Sequence, residues 1–147
     1  MIQSKQNVPG PLQKKMLYAT SALLWVSGTI WLFFRYFIQG KGDFNSPSYA
    51  EQATCLRIHG AAAIVFLIVF GALLYHILPG WRQKYQRPSG LSLIVTCVFL
   101  IITGWGLYYM GNEYYRNLVS VIHSILGFLL PAIIFFHVFS AYVYRKQ

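Results

Sequence analysis

Four stretches of this chain, residues 17–38, 58–78, 91–110 and 118–143, are apolar from end to end and nearly free of charge. Each is long enough to cross a hydrocarbon core, which takes about 20 helical residues. A buried helix of a water-soluble protein is usually shorter and keeps a polar face, and these stretches have essentially none. Backbone amides in lipid must be satisfied within their own segment, so each stretch is expected to be helical. The expected fold class is all-α: an integral membrane four-helix bundle, up-down-up-down, forming a single transmembrane domain over residues 1–147. Outside the spans lie an N-terminal tail, a loop of some nineteen residues (39–57) and two short turns, which leave no room for a soluble catalytic domain. Lys14 and Lys15 precede the first stretch as they would in a secretory signal. That run is too long for a signal, however, and no small-x-small cleavage site follows Ile38, so it is expected to be retained.

Twelve Lys and Arg against three acids would suggest a nucleic-acid partner in a soluble protein. Here their positions matter more than their total. Lys5, Lys14, Lys15, Arg82, Lys84, Arg87, Arg145 and Lys146 fall in the two tails and the second loop, which alternation across four spans places on one side. The positive-inside rule makes that side cytoplasmic, with both termini there. Lys41, Arg57 and Arg116 fall on the other side with all three acids, Asp43, Glu51 and Glu113, while Arg35 near the end of the first span can snorkel. The basic excess is thus a topology signal with contact to anionic lipid as a by-product, and no nucleic-acid partner is expected. Cys55 and Cys97 sit at different depths, with no Cys-x-x-Cys-His for covalent haem and no iron–sulfur pattern, and read as apolar packing.

All four histidines, His59, His76, His123 and His137, fall within the second and fourth spans. Imidazoles inside a membrane are costly and usually functional, because both ring nitrogens need partners. In an up-down-up-down bundle these two spans run parallel, so His59 and His123 share one depth and His76 and His137 the other. The 14-residue step from His123 to His137 is about 21 Å of rise, with a rotation about 40° short of whole turns, so the two share a face. The 17-residue step from His59 to His76 is about 25 Å, with about 100° of mismatch for an ideal helix. Tilt, or unwinding near Pro79-Gly80, is one way to close that gap; a single site with the other histidines hydrogen-bonded is the alternative.

Zinc takes four converging ligands, and these pairs are too far apart. Haem takes one axial ligand from either side, which matched pairs supply. The four histidines are therefore the candidate metal ligands, for two haems b or for one. Gly60, Gly71 and Gly127, with Gly104 and Gly106 in the third span, leave room for a flat macrocycle or serve as ordinary small-residue packing. Arg57 and Arg116 are candidate partners for haem propionates at the outer mouth, with Arg82, Lys84 and Arg87 at the inner one. The same residues also read as interfacial anchors, as do Trp81, Trp105, Tyr108, Tyr109, Tyr114 and Tyr115.

These residues carry a family resemblance. His59-Gly60-Ala61-Ala62-Ala63, His76 followed by Trp81, Arg87-Pro88-Ser89-Gly90, Thr103-Gly104, and His123-Ser124-Ile125-Leu126-Gly127 with Pro131 and His137 resemble the small bacterial membrane cytochromes b. That group includes the nickel-hydrogenase and formate-dehydrogenase cytochrome b subunits. The likeness covers roughly the last two thirds of the chain and implies bis-histidine haem b, electron transfer and residence in the bacterial cytoplasmic membrane. The chain departs from the group in having no histidine in its first span and a longer histidine spacing in its second.

Bis-histidine ligation fills both axial positions of iron and suits electron transfer rather than oxygen binding. A negative interior favours outward movement of an electron by about 2.3 kcal/mol per 100 mV. No Asp or Glu lies within a span, so proton pumping is not expected. Three functions fit. The chain is an electron-transfer subunit between the quinone pool and a redox partner, whether another subunit or a periplasmic redox protein; or a self-contained oxidoreductase acting on quinone or superoxide; or a haem-free structural subunit.

Overall fold

A computed structural model describes residues 10–38, 47–80 and 87–144, with side chains for 10–38, 49–74 and 88–143. Among these residues the chain is helical apart from Gly10 and the turn at 110–112. Helix α1 covers Pro11–Phe33 and widens into a π-helical turn at Phe34–Ile38. Helix α2 is Pro47–Gly80, α3 is Arg87–Tyr109 and α4 is Glu113–Tyr144. All four are long and apolar enough to cross a membrane.

Each helix begins before its apolar run does, and the reason is local. Pro11 stands at the first position of α1, where a missing N–H costs nothing. The Gly10 N–H donates to Gln13 Oε1 at 3.0 Å, closing one orphan donor. At α4, Asn112 Oδ1 accepts from the Tyr115 N–H at 3.3 Å, and Glu113 adds a negative charge to the first turn. The largest difference is at α2. Residues 47–57, expected in a loop, are helical. Ala50, Glu51, Gln52 and Ala53 are good helix formers, and Thr54 Oγ1 bonds back to the Ala50 carbonyl at 2.8 Å. Polarity ends the lipid-embedded part of a segment without ending its hydrogen-bonded helix. The rest of that expected loop, 39–46, lies outside the described residues, as do Arg82 and Lys84. Near the end of α1 the Arg35 guanidinium lies 5.2 Å from the centre of the Trp31 ring, a cation–π contact.

The chain forms two compact units, one holding α1 and α2 and the other α3 and α4. Within the second unit the contacts run Ser89 to His137, Leu100 to Gly127, Thr103 to His123 and Gly106 to Val119, so the two helices are antiparallel. Within the first, Ser27 meets His59 about equally far from the connection on either side, as in a helical hairpin.

Packing inside each unit recurs at heptad spacing. On α2 the covered positions include Gln52, Cys55, His59, Ala62, Phe66, Val69 and Leu73, alternating steps of three and four. On α4 they include Val119, His123, Leu126, Leu130, Ile133 and His137, in the same alternation. That is the seam of a left-handed supercoil. Hydroxyl side chains are buried beside these apolar positions, and many large apolar side chains face outward. Thr20, Ser27, Gln52, Ser89, Thr96 and Thr103 are buried, while Ile68 and Phe135 are 69% and 71% exposed. Large apolar side chains on the outer surface and hydroxyls among the packed residues fit a lipid solvent, where helices also meet through small and polar residues.

Candidate functional site

A hydroxyl buried between helices in lipid needs a home for its proton, and a neighbouring backbone carbonyl provides it. Ser27 Oγ donates to the Leu23 carbonyl at 2.7 Å, and Thr103 Oγ1 donates to the Phe99 carbonyl at 2.7 Å. Each hydroxyl oxygen then has only lone pairs to offer. His59 on α2 brings Nδ1 to 3.0 Å from Ser27 Oγ on α1. His123 on α4 brings Nδ1 to 2.9 Å from Thr103 Oγ1 on α3. With the hydroxyl proton on the backbone carbonyl, the imidazole is the donor in both contacts, and that arrangement puts the proton on Nδ1 and the ring lone pair on Nε2. His137 makes the equivalent contact, with Nδ1 3.1 Å from Ser89 Oγ.

A glycine follows each hydroxyl residue, and each lies against the same edge of the ring. A Cβ on Gly28 would stand 3.2 Å from His59 Cε1, and one on Gly104 would stand 3.3 Å from His123 Cε1. One on Gly90 would stand 3.6 Å from His137 Cε1. The first two distances are tighter than ordinary carbon–carbon contact, so the absent side chain is what lets the ring approach the facing helix. Ser27-Gly28, Ser89-Gly90 and Thr103-Gly104 are the only Ser-Gly or Thr-Gly steps in the sequence. All three are spent on histidines.

The structure thus brings His59, His123 and His137 each onto the seam of its own unit. His76 lies on the α2 backbone, which stays helical through Pro79-Gly80; its side chain is outside the described residues. Of the expected propionate partners, Arg116 and Arg57 are both exposed. Arg116 precedes His123 by seven residues and shares its column, whereas Arg57 precedes His59 by two, about 160° around the helix. The Arg87 side chain is not described.

The glycines expected to clear space beside the histidines do other things. A Cβ on Gly71 would meet nothing within 4 Å, and one on Gly127 would meet Leu100. Gly106 faces Met110 and Val119, whereas Gly104 adjoins His123. Ser27 and Gly28 were absent from the expected site because the first span holds no histidine. The recurring hydroxyl-glycine step was the signal that would have found them.

Among the described residues no group of three or more His, Cys, Asp or Glu side chains converges on one point. Cys55 and Cys97 are both free thiols. No family model, curated protein or solved structure matches the chain.

Proposed function

We propose that this chain is a membrane electron-transfer protein of the cytochrome b type, its histidines serving as axial ligands of haem b. The observation that carries the reading is the contact of His59 and His123, each through Nδ1, with an interhelical hydroxyl that also bonds a backbone carbonyl of its own helix. Metal-ligating histidines characteristically donate their second ring N–H to a neighbour, which orients the ring and raises its basicity. The donor set therefore fits haem: neutral imidazoles with the proton on Nδ1 and the lone pair on Nε2. Haem, when bound, supplies a one-electron carrier whose iron takes no further ligand once two imidazoles hold it.

Two histidines of one helix are separated by about 21 Å or more, so no single helix provides both ligands of one iron. Two centres are proposed if His76 takes part and one if it does not. Arg116, in column with His123, is the better placed partner for a propionate. The proposed topology is up-down-up-down with both termini cytoplasmic, from the distribution of Lys and Arg, in a bacterial cytoplasmic membrane. Quinol is the proposed donor and a second redox protein the acceptor, with outward electron movement favoured by the membrane potential.

The test is a visible spectrum of the purified protein with haem quantified per chain, repeated for His59→Ala, His76→Ala, His123→Ala and His137→Ala. Two haems per chain, with each variant losing about one, is the expected result. Loss of all haem from only one pair of variants would reduce the proposal to a single centre. A folded, colourless protein from haem-replete cells would overturn it in favour of a structural subunit.

A further inference from the structure

We infer that Ser27 and Thr103 are positioning residues that hold His59 and His123 in the Nδ1-protonated tautomer and set the donor strength of the opposite nitrogen. This rests on the haem reading for its consequence, although the tautomer itself can be measured without haem.

Both hydroxyls relay a backbone carbonyl to a ring. The Leu23 carbonyl accepts from Ser27 Oγ, which in turn accepts from His59 Nδ1. The Phe99 carbonyl accepts from Thr103 Oγ1, which accepts from His123 Nδ1. Successive hydrogen bonds in a low-dielectric setting polarise one another, so the carbonyl pulls on the imidazole proton through the hydroxyl. A ring whose Nδ1–H is drawn away is a stronger donor at Nε2 and favours the more highly charged ferric iron. Steric contact completes the placement. Gly28 and Gly104 bring the facing backbone against Cε1, so each ring is held on one edge by a hydrogen bond and a wall.

The alternative tautomer would require the hydroxyl to rotate and donate to Nδ1, giving up its 2.7 Å bond to the backbone carbonyl. The hydroxyl therefore selects the tautomer as well as the orientation. Any hydroxyl in the same place does the same, and the chain uses a serine at one position and a threonine at the other.

The experiment compares the full-length protein with Ser27→Ala and Thr103→Ala, and with the hydroxyl-preserving Ser27→Thr and Thr103→Ser. In the haem-free protein, nitrogen NMR of the imidazoles should show Nδ1–H at His59 and His123, and a mixture of tautomers at the matching histidine in each alanine variant. In the loaded protein each alanine variant should bind haem on the order of 10- to 100-fold more weakly. Its midpoint potential should rise and its ferric electron paramagnetic resonance g-values should shift, while Ser27→Thr and Thr103→Ser remain close to the parent. An Nε2-protonated ring in the parent, or alanine variants with unchanged potential and g-values, would overturn the inference. A parent that binds no haem but shows Nδ1–H would sink the cytochrome reading and leave the tautomer assignment standing.

Discussion

Thr103 Oγ1 lies between His123 Nδ1, 2.9 Å away on the facing helix, and the Phe99 carbonyl oxygen, 2.7 Å away on its own. Ser27 does the same between His59 and the Leu23 carbonyl, in a different pair of helices. Two unrelated stretches of sequence have arrived at one local solution. The shared element is chemical: a buried hydroxyl that has spent its proton within its own helix becomes an obligate acceptor for the next helix.

Gly28→Ala and Gly104→Ala are expected to displace the rings they face. The new methyl carbon would sit 3.2 Å from His59 Cε1 or 3.3 Å from His123 Cε1 and force the imidazole to move by a few tenths of an ångström. Gly71→Ala, which meets nothing within 4 Å, is the control. Visible and paramagnetic resonance spectra of the three variants should change for the first two and stay at the parent values for the third.

Thr103→Val keeps the shape of the side chain and removes the acceptor for His123. Interhelical hydrogen bonds in membranes contribute about 0.6 kcal/mol on average and up to about 2. Unfolding of the haem-free protein by sodium dodecyl sulfate in mixed micelles should therefore show a loss of about 1 kcal/mol. An unchanged unfolding curve would mean that the contact contributes nothing to holding α3 against α4.

The two thiols should differ in reactivity. Cys97 is 4% exposed in α3, whereas Cys55 is only partly covered, near the start of α2. A water-soluble maleimide added to the native protein in detergent should label Cys55 and spare Cys97 until the protein is unfolded, as read by intact mass. Labelling of Cys97 first would place it in a different environment.

Topology can be read from one-sided labelling in a background carrying Cys55→Ala and Cys97→Ala. Lys15→Cys, in the first turns of α1, should react only from the cytoplasmic face of sealed vesicles, and Glu113→Cys, at the start of α4, only from the other face. Both reacting from the same face would contradict the expected alternation.

The four helices were legible because lipid imposes length and apolarity at once. Their ends were not, since Pro47, Ala50 and Gln52 lie beyond the apolar run yet continue the hydrogen-bonded helix of α2. At the site, His123 and His137 could be placed on one face from spacing alone. The 17-residue step in α2 read as a misfit because it was measured against 3.6 residues per turn. On a heptad register of 3.5 residues per turn, 17 residues fall only about 50° short of whole turns. The partners of the histidines were harder still. Ser27 and Gly28 carry no chemistry by themselves, and their meaning depends on which helix faces them, which one-dimensional spacing does not encode.

The supercoiled seam also dictates how such a chain can grow or shrink. Inserting one residue between His123 and His137 would swing the second imidazole by about 100° and strand it away from Ser89. Duplicating seven residues in both α3 and α4 would return every contact to its column and only lengthen the hairpin by about 10 Å. The distance between the two histidines is therefore quantised: deletions and insertions there are tolerated in heptads, and single-residue drift is not.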